Sequence, residues 1–143
     1  QEYERAALAL LFAADRLVLR RAIEAALASG RWVIGDRSML SSLVYQGSEL
    51  DPEWVALINR HARPPDLTIL LDLPASLASD RISARGEARD RFEAEDRLVV
   101  LRSRYLELAR QRRDALVTLD ASRSAKEVLA EALAALREHH WLP

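Results

Sequence analysis

Three short apolar runs alternate with helical segments along the chain, and this alternation is the strongest constraint on its fold. The runs span residues 32–35, 67–73 and 116–119, and an aspartate stands at or just after the end of each. Strands separated by helices pair in parallel through right-handed crossovers. The sequence therefore predicts a single α/β domain over residues 1–143 with a parallel sheet.

Helical spacing of apolar residues fills the segments between the runs. Gly30 marks the expected end of the first helix, Asp51-Pro52 a helix start, and Ser124 to Glu127 a capping box. The predicted helices cover residues 2–29, 39–47 (a short helix or a turn), 51–61, 75–85, 92–113 and 124 onwards.

Composition excludes several classes of protein. The 143 residues carry 21 basic and 22 acidic side chains, a net charge of −1, which argues against a general nucleic-acid binder. No cysteine is available for a disulfide, a thiolate zinc site or a nucleophile. No apolar run approaches the roughly 20 residues of a membrane span. We therefore expect a cytoplasmic protein, and we assign no metal-ligating residues.

The ends of the predicted strands are the first place where chemistry is expected, because ligands of open α/β sheets bind there. Asp36 and Arg37 offer a partner for magnesium or water and a fork for phosphate, or alternatively a structural ion pair. Asp72 and Asp120 either join such a site or simply cap turns.

Three further groups have both a functional and a structural interpretation. Ser42, Tyr45 and Gln46 share one helical face, suited to a polar heterocycle and a sugar or to solvent. Phe12 and Arg16, one turn apart, could stack on a base and bond its edge, or be a core residue and a helix-end cation. Four arginines could close over polyphosphate or belong to a solvated loop: Arg81, Arg85, Arg89 and Arg91.

The order of these motifs resembles that of the thymidylate kinase family. The resemblance covers essentially the whole chain, and its most specific part runs from Asp36 to Gly47. The segments that carry it are residues 10–16, 33–37, 41–47, 65–72, 90–93 and 120–122.

The resemblance implies a P-loop NTPase-like three-layer sandwich and a homodimer paired through helices. It also implies transfer of the γ-phosphate of ATP to dTMP, giving dTDP for dTTP biosynthesis, with ATP and Mg2+ as cofactors. The expected partners are therefore dTMP, ATP and a second copy of the chain.

The resemblance also assigns roles to individual residues. Phe12 stacks on thymine, Arg16 bonds its edge, and Ser42 and Gln46 complete recognition of the base. Tyr45 lies under the deoxyribose and disfavours a 2′-hydroxyl. Arg37 holds the acceptor phosphate and Asp36 supports the magnesium region. The catalytic set is Asp36, Arg37, Arg85, Arg89 and Arg91, and the lid spans about 81–91. Arg81 is a candidate to stack on adenine, and the loop of Asp120, Ala121 and Ser122 borders the adenine.

Two departures from the family pattern leave alternatives open. Ser38 stands where the family commonly has tyrosine, which leaves room for a deoxynucleoside kinase. The four glycines are too far apart for a glycine-rich phosphate loop, and Lys126 lies in a capping box. We therefore expect that the N-terminal strands of the fold are missing from this chain and that this fragment alone is inactive. A non-catalytic nucleotide-binding or dimerisation module is the remaining alternative.

Overall fold

A computed structural model describes residues 2–85, 91–112 and 116–139, without the side chains of 91–94. Contacts within the chain group it into two compact units, residues 1–64 and 65–143. The first unit holds three α-helices and a 3₁₀ turn: α1 (Glu2–Ala28), α2 (Met39–Tyr45), the turn Gln46–Ser48, and α3 (Pro52–Ile58). The second holds β1 (Thr68–Asp72), α4 (Ala75–Ala84), α5 (Arg91–Gln111), β2 (Leu116–Asp120) and α6 (Ala125–Glu138).

Helix α1 confirms the prediction for residues 2–29 and ends as its sequence indicates. Gly30 has a φ of 76°, in the left-handed region that glycine adopts without a steric penalty. The N–H of Gly30 donates to the carbonyl of Leu27, and that of Arg31 to the carbonyl of Ala26. These two bonds form a Schellman motif, which satisfies carbonyls that the helix leaves open.

Two short helices pack with α1 in the first unit. Asp51 begins α3 by accepting a hydrogen bond from the N–H of Glu53, and Pro52 occupies the first helical turn. Val44 of α2 and Val55 of α3 are fully buried, and Ala9 and Ala13 form the buried side of α1. The helix predicted over 51–61 ends at Ile58, and residues 39–47 form α2 and part of the 3₁₀ turn.

The prediction of a strand over residues 32–35 is wrong. Residues 31–35 carry no regular secondary structure, and Ile34 is 92% exposed. A strand exists only where a neighbour completes its ladder of hydrogen bonds. Within the described ranges the sheet consists of β1 and β2 alone, so an apolar run at this place is not sufficient to make a strand.

The second unit contains a small parallel sheet. Strands β1 and β2 pair in parallel, with Thr68 opposite Leu116 and Asp72 opposite Asp120. Helices α4 and α5 lie between them in sequence and contact each other, while α6 contacts β2. The strands predicted over 67–73 and 116–119 are thus confirmed, as is parallel pairing. The side chain of Ser124 and that of Glu127 form the predicted capping box of α6.

The described part of the chain is therefore a set of helices with a two-stranded parallel sheet. None of the helices in that part is both long and apolar enough to cross a membrane.

Candidate functional site

Arg16 is the centre of a polar cluster that joins three elements of the first unit. Its Nη1 donates to Oδ1 of Asn59 at 2.6 Å, and its Nη2 donates to Oγ of Ser42. Asn59 follows α3 directly and Ser42 lies on α2, so α1, α2 and α3 meet at this guanidinium. The structure thus brings together two residues predicted to recognise a base.

The guanidinium keeps capacity for further hydrogen bonds. Arginine has five N–H donors, and Ser42 and Asn59 take two of those on Arg16. Burial lowers the pKa of Arg16, an effect that the charge of Asp15 opposes, and the group remains a cation at neutral pH. A cation held by two neutral acceptors suits a ligand that presents carbonyl oxygens.

A second pair lies nearby in sequence. The Arg37 guanidinium carbon is 4.6 Å from the centroid of the Tyr45 ring, within the range of a cation–π contact. Arg37 has a φ of 58°, an uncommon conformation for a residue with a side chain. Asp36 forms no ion pair within the described residues, so the alternative of a structural Asp36–Arg37 pair is not what the structure contains.

Phe12 and Gln46 are the two predicted base contacts outside these pairs. Phe12 is 42% exposed. The backbone carbonyl of Gln46 accepts from the N–H groups of Glu49 and Leu50, whereas its side-chain amide bonds to nothing in the described part of the chain. Both side chains are therefore available to a ligand, and whether they share one pocket with Arg16 stays a prediction.

Asp72 in the second unit has a partner that the sequence did not indicate. Arg102 of α5 donates from Nε to Oδ1 of Asp72 at 2.7 Å and from Nη2 to Oδ2 at 2.8 Å. This bidentate pair lowers the pKa of Asp72, chiefly through the hydrogen bonds from Arg102. The carboxylate of Asp72 thus ties the end of β1 to α5.

The loop of Asp120, Ala121 and Ser122 is bonded internally. Oδ1 of Asp120 accepts from the N–H of Ser122 at 2.9 Å and from its hydroxyl at 2.6 Å, which lowers the pKa of Asp120. The N–H of Ala121 donates to the carbonyl of Asp72 at 2.8 Å and so links the two strand ends. The turn-capping interpretation of Asp120 fits this geometry, and a border to adenine stays a prediction.

The central segment of the predicted lid, residues 86–90, lies outside the described residues. Arg81 and Arg85 are exposed at the end of α4. Arg89 falls in the segment 86–90, which the structure does not describe, and Arg91 begins α5 without a described side chain. Within the described ranges, no group of three or more histidine, aspartate or glutamate side chains could hold a metal ion.

Two residues of these clusters were missed by sequence reasoning: Asn59 and Arg102. An asparagine just after a helix indicates at most a helix end, and an arginine in a charged helix indicates a solvated face. Their partners are 43 and 30 residues away. A half-buried arginine on α1 needs acceptors, and that need is the one signal that could have pointed to Asn59.

Comparison with known proteins places the chain in a family. The thymidylate kinase family model matches residues 1–132. A probable thymidylate kinase of Methanothermobacter thermautotrophicus is 49% identical over 106 residues, 71% of this chain and 48% of the relative. The thymidylate kinase of Shewanella sp. strain MR-4 is 40% identical over 138 residues, 92% of this chain and 65% of the relative.

The thymidylate kinase of Chromohalobacter salexigens is 39% identical over 142 residues, which are 94% of this chain and 67% of the relative. The chain thus spans about half to two thirds of the length of the curated relatives it matches. Since the family model covers nearly the whole sequence, the chain belongs to the thymidylate kinase family.

Proposed function

We propose that the protein carrying residues 1–143 phosphorylates dTMP to dTDP with ATP and Mg2+. The observation that carries the proposal is the Arg16 guanidinium, fixed by Ser42 and Asn59 and still able to donate, in a chain of this family. Thymine presents two carbonyl oxygens, which are acceptors for such donors. Cytosine presents an amino donor at position 4, which would oppose an arginine N–H.

The remaining predicted residues fit the rest of the nucleotide. Phe12 offers an exposed ring for stacking, and Gln46 an amide that bonds to nothing in the described part of the chain. Tyr45 packs under the sugar and leaves no partner for a 2′-hydroxyl. Arg37, exposed and next to Tyr45, binds the acceptor phosphate as a charge-assisted donor.

Phosphoryl transfer depends on positioning and on neutralising the charge of the transferred group. Mg2+ bound with the ATP phosphates supplies part of that neutralisation. Asp36 fits a role at the metal because its exposed carboxylate has no ion-pair partner among the described residues, and Mg2+ prefers carboxylate and water oxygens. Four arginines hold the polyphosphate: Arg81, Arg85, Arg89 and Arg91.

The proposal extends to the whole protein. The fold is a P-loop NTPase-like three-layer sandwich with a single nucleotide-binding domain, and the Asp120–Ser122 loop borders adenine. The protein works in the cytoplasm, in dTTP biosynthesis, as a homodimer. Exposed apolar side chains along α1 support the pairing of two copies.

The test is an ATP-coupled assay of the intact protein with dTMP and, separately, with thymidine. We expect turnover of dTMP but not of the nucleoside. Arg16→Met removes a charged hydrogen-bond donor to the base, and we expect a rise in KM for dTMP of about 10- to 100-fold, since such bonds contribute about 1.5–3 kcal/mol.

The matched control is Arg21→Met, a change of the same residue type on the exposed side of α1. It leaves KM for dTMP within about twofold of the parent. Turnover of thymidine in place of dTMP, or an equal effect of the two substitutions, would contradict the proposed function.

A further inference from the structure

Asn59 is a buried residue whose side-chain amide is hydrogen-bonded at both its nitrogen and its oxygen. The residue is 2% exposed. Its Nδ2 donates to the carbonyl of Val55 at 2.8 Å, and its Oδ1 accepts from Nη1 of Arg16 at 2.6 Å. The bond to Val55 fixes which end of the amide faces Arg16, so the acceptor is oriented before any ligand arrives.

Main-chain bonds account for part of the end of α3: the backbone N–H of Asn59 donates to the carbonyl of Ala56, and its backbone carbonyl accepts from the N–H of Ala62. The side-chain Nδ2 of Asn59 takes a further carbonyl of the last turn, that of Val55. Oδ1 of Asn59 is not needed to close the helix, and it connects α3 to α1 across 43 residues of sequence.

Asn59 and Ser42 together determine the orientation of a long, flexible side chain. A planar guanidinium held at Nη1 and at Nη2 cannot rotate freely, and arginine otherwise has high rotamer entropy. Ordering a flexible group in advance lowers the cost of binding. Ser42 could also contact a ligand, because a hydroxyl both donates and accepts, whereas the amide of Asn59 is buried and committed at both ends.

We propose that Asn59 is a positioning residue for recognition of the base: through Arg16 it favours a pyrimidine nucleotide with a carbonyl at position 4 over one with an amino group. The inference rests on the proposed function, since Arg16 is taken there to read the base. Without the acceptor of Asn59, the guanidinium turns about its remaining contact to Ser42 and presents its donors in several directions. Affinity for dTMP then falls, and so does its advantage over dCMP.

The test is a double-mutant cycle on the intact protein, with KM and kcat measured for dTMP and dCMP. Asn59→Leu removes both bonds of the amide. Asn59→Ser is the second variant, because a serine hydroxyl can still bond the carbonyl four residues earlier in the helix but is too short to reach Nη1. Each change is made in the parent and in Arg16→Met.

In the parent, we expect either substitution to raise KM for dTMP about tenfold with kcat within twofold, and to lower the preference for dTMP over dCMP about fivefold. In the Arg16→Met background, the same substitutions change KM less than twofold. Ser79→Ala removes a different buried polar side chain, in the second unit, and leaves KM and the dTMP preference unchanged.

The outcomes separate the two claims. If the parent does not phosphorylate dTMP, the proposed function fails and this inference fails with it. If the parent does so but Asn59→Ser raises KM equally in both backgrounds, or in neither, Asn59 acts independently of Arg16 and only the positioning role is overturned.

Discussion

At the scale of the residue, Arg37 combines an unfavourable backbone with a favourable side-chain contact. Its φ of 58° costs a residue with a Cβ roughly 1–2 kcal/mol, while the cation–π contact to Tyr45 at an exposed position contributes about 0.5–1 kcal/mol. The contact therefore offsets about half of the backbone cost. Such strain is found where function requires it, and Arg37 is the residue proposed to hold the acceptor phosphate.

Replacing Arg37 by glycine and by alanine separates these effects. Both substitutions remove the ring contact, but only glycine removes the strain. We expect Arg37→Gly to be more stable than Arg37→Ala by about 1 kcal/mol, measured by thermal unfolding of the intact protein. Both variants lose affinity for dTMP to the same extent. Equal stability of the two variants would mean that the backbone at this position is not strained.

The sequence analysis identified some residues of the clusters around Arg16 and Asp72 and missed others, for a physical reason. Arg16 and Ser42 lie in motifs that carry the family resemblance, so the sequence alone named them. Asn59 and Arg102 act through single long-range contacts with Arg16 and Asp72. No local pattern of spacing or charge encodes such a contact.

At the scale of the element, the sequence predicted helix ends well where they depend on residues close together in the chain. The left-handed Gly30, the Asp51 cap and the Ser124 capping box each depend on residues within five positions of one another. The strand predicted over 32–35 failed because pairing is non-local. Its apolar composition, with Trp32 and Ile34, satisfies the pattern of a strand, but no ladder forms on it within the described ranges.

The Asp72–Arg102 pair connects two elements of the second unit, and its effect on stability depends on pH. The pKa of Asp72 is lower in the folded protein than the roughly 3.9 of an unfolded chain. The stabilisation is therefore present above about pH 4 and is lost as pH falls through the folded pKa.

We expect Asp72→Asn to lower the midpoint of thermal unfolding by about 2–5 °C at pH 7. The gap to the parent persists down to about pH 5 and closes below about pH 4. Asp36→Asn, which removes an exposed carboxylate without an ion-pair partner in the described residues, shows no such gap at either pH. A gap for Asp72→Asn that stays constant down to pH 2 would show that the charge of Asp72 is not what stabilises this contact.

At the scale of the whole molecule, the parallel strand pair and the helices around it were predictable, because alternation of strands and helices permits few topologies. The three-layer sandwich, the single domain and the inactivity of residues 1–143 alone stay predictions.

Association of two copies is also a property of the whole molecule, and the exposed apolar face of α1 makes it testable. Leu8, Leu11, Val18 and Leu19 are all exposed, and at 100° per residue they project within an arc of about 100°.

A helical face of this kind is costly in water, and burial of apolar surface stabilises by about 25 cal/mol per Å². A second copy offers the same face, which is what a two-fold symmetric pair requires. We therefore expect the intact protein to have the mass of a dimer in light scattering at micromolar concentration.

Val18 is the most exposed of the four at 76%, and Val18→Glu would place a charge inside the interface, giving a monomer. Val100→Glu, at a half-exposed valine of α5 in the other unit, leaves the dimer intact. A monomeric parent, or dissociation caused equally by both substitutions, would place the apolar face of α1 outside any interface between copies.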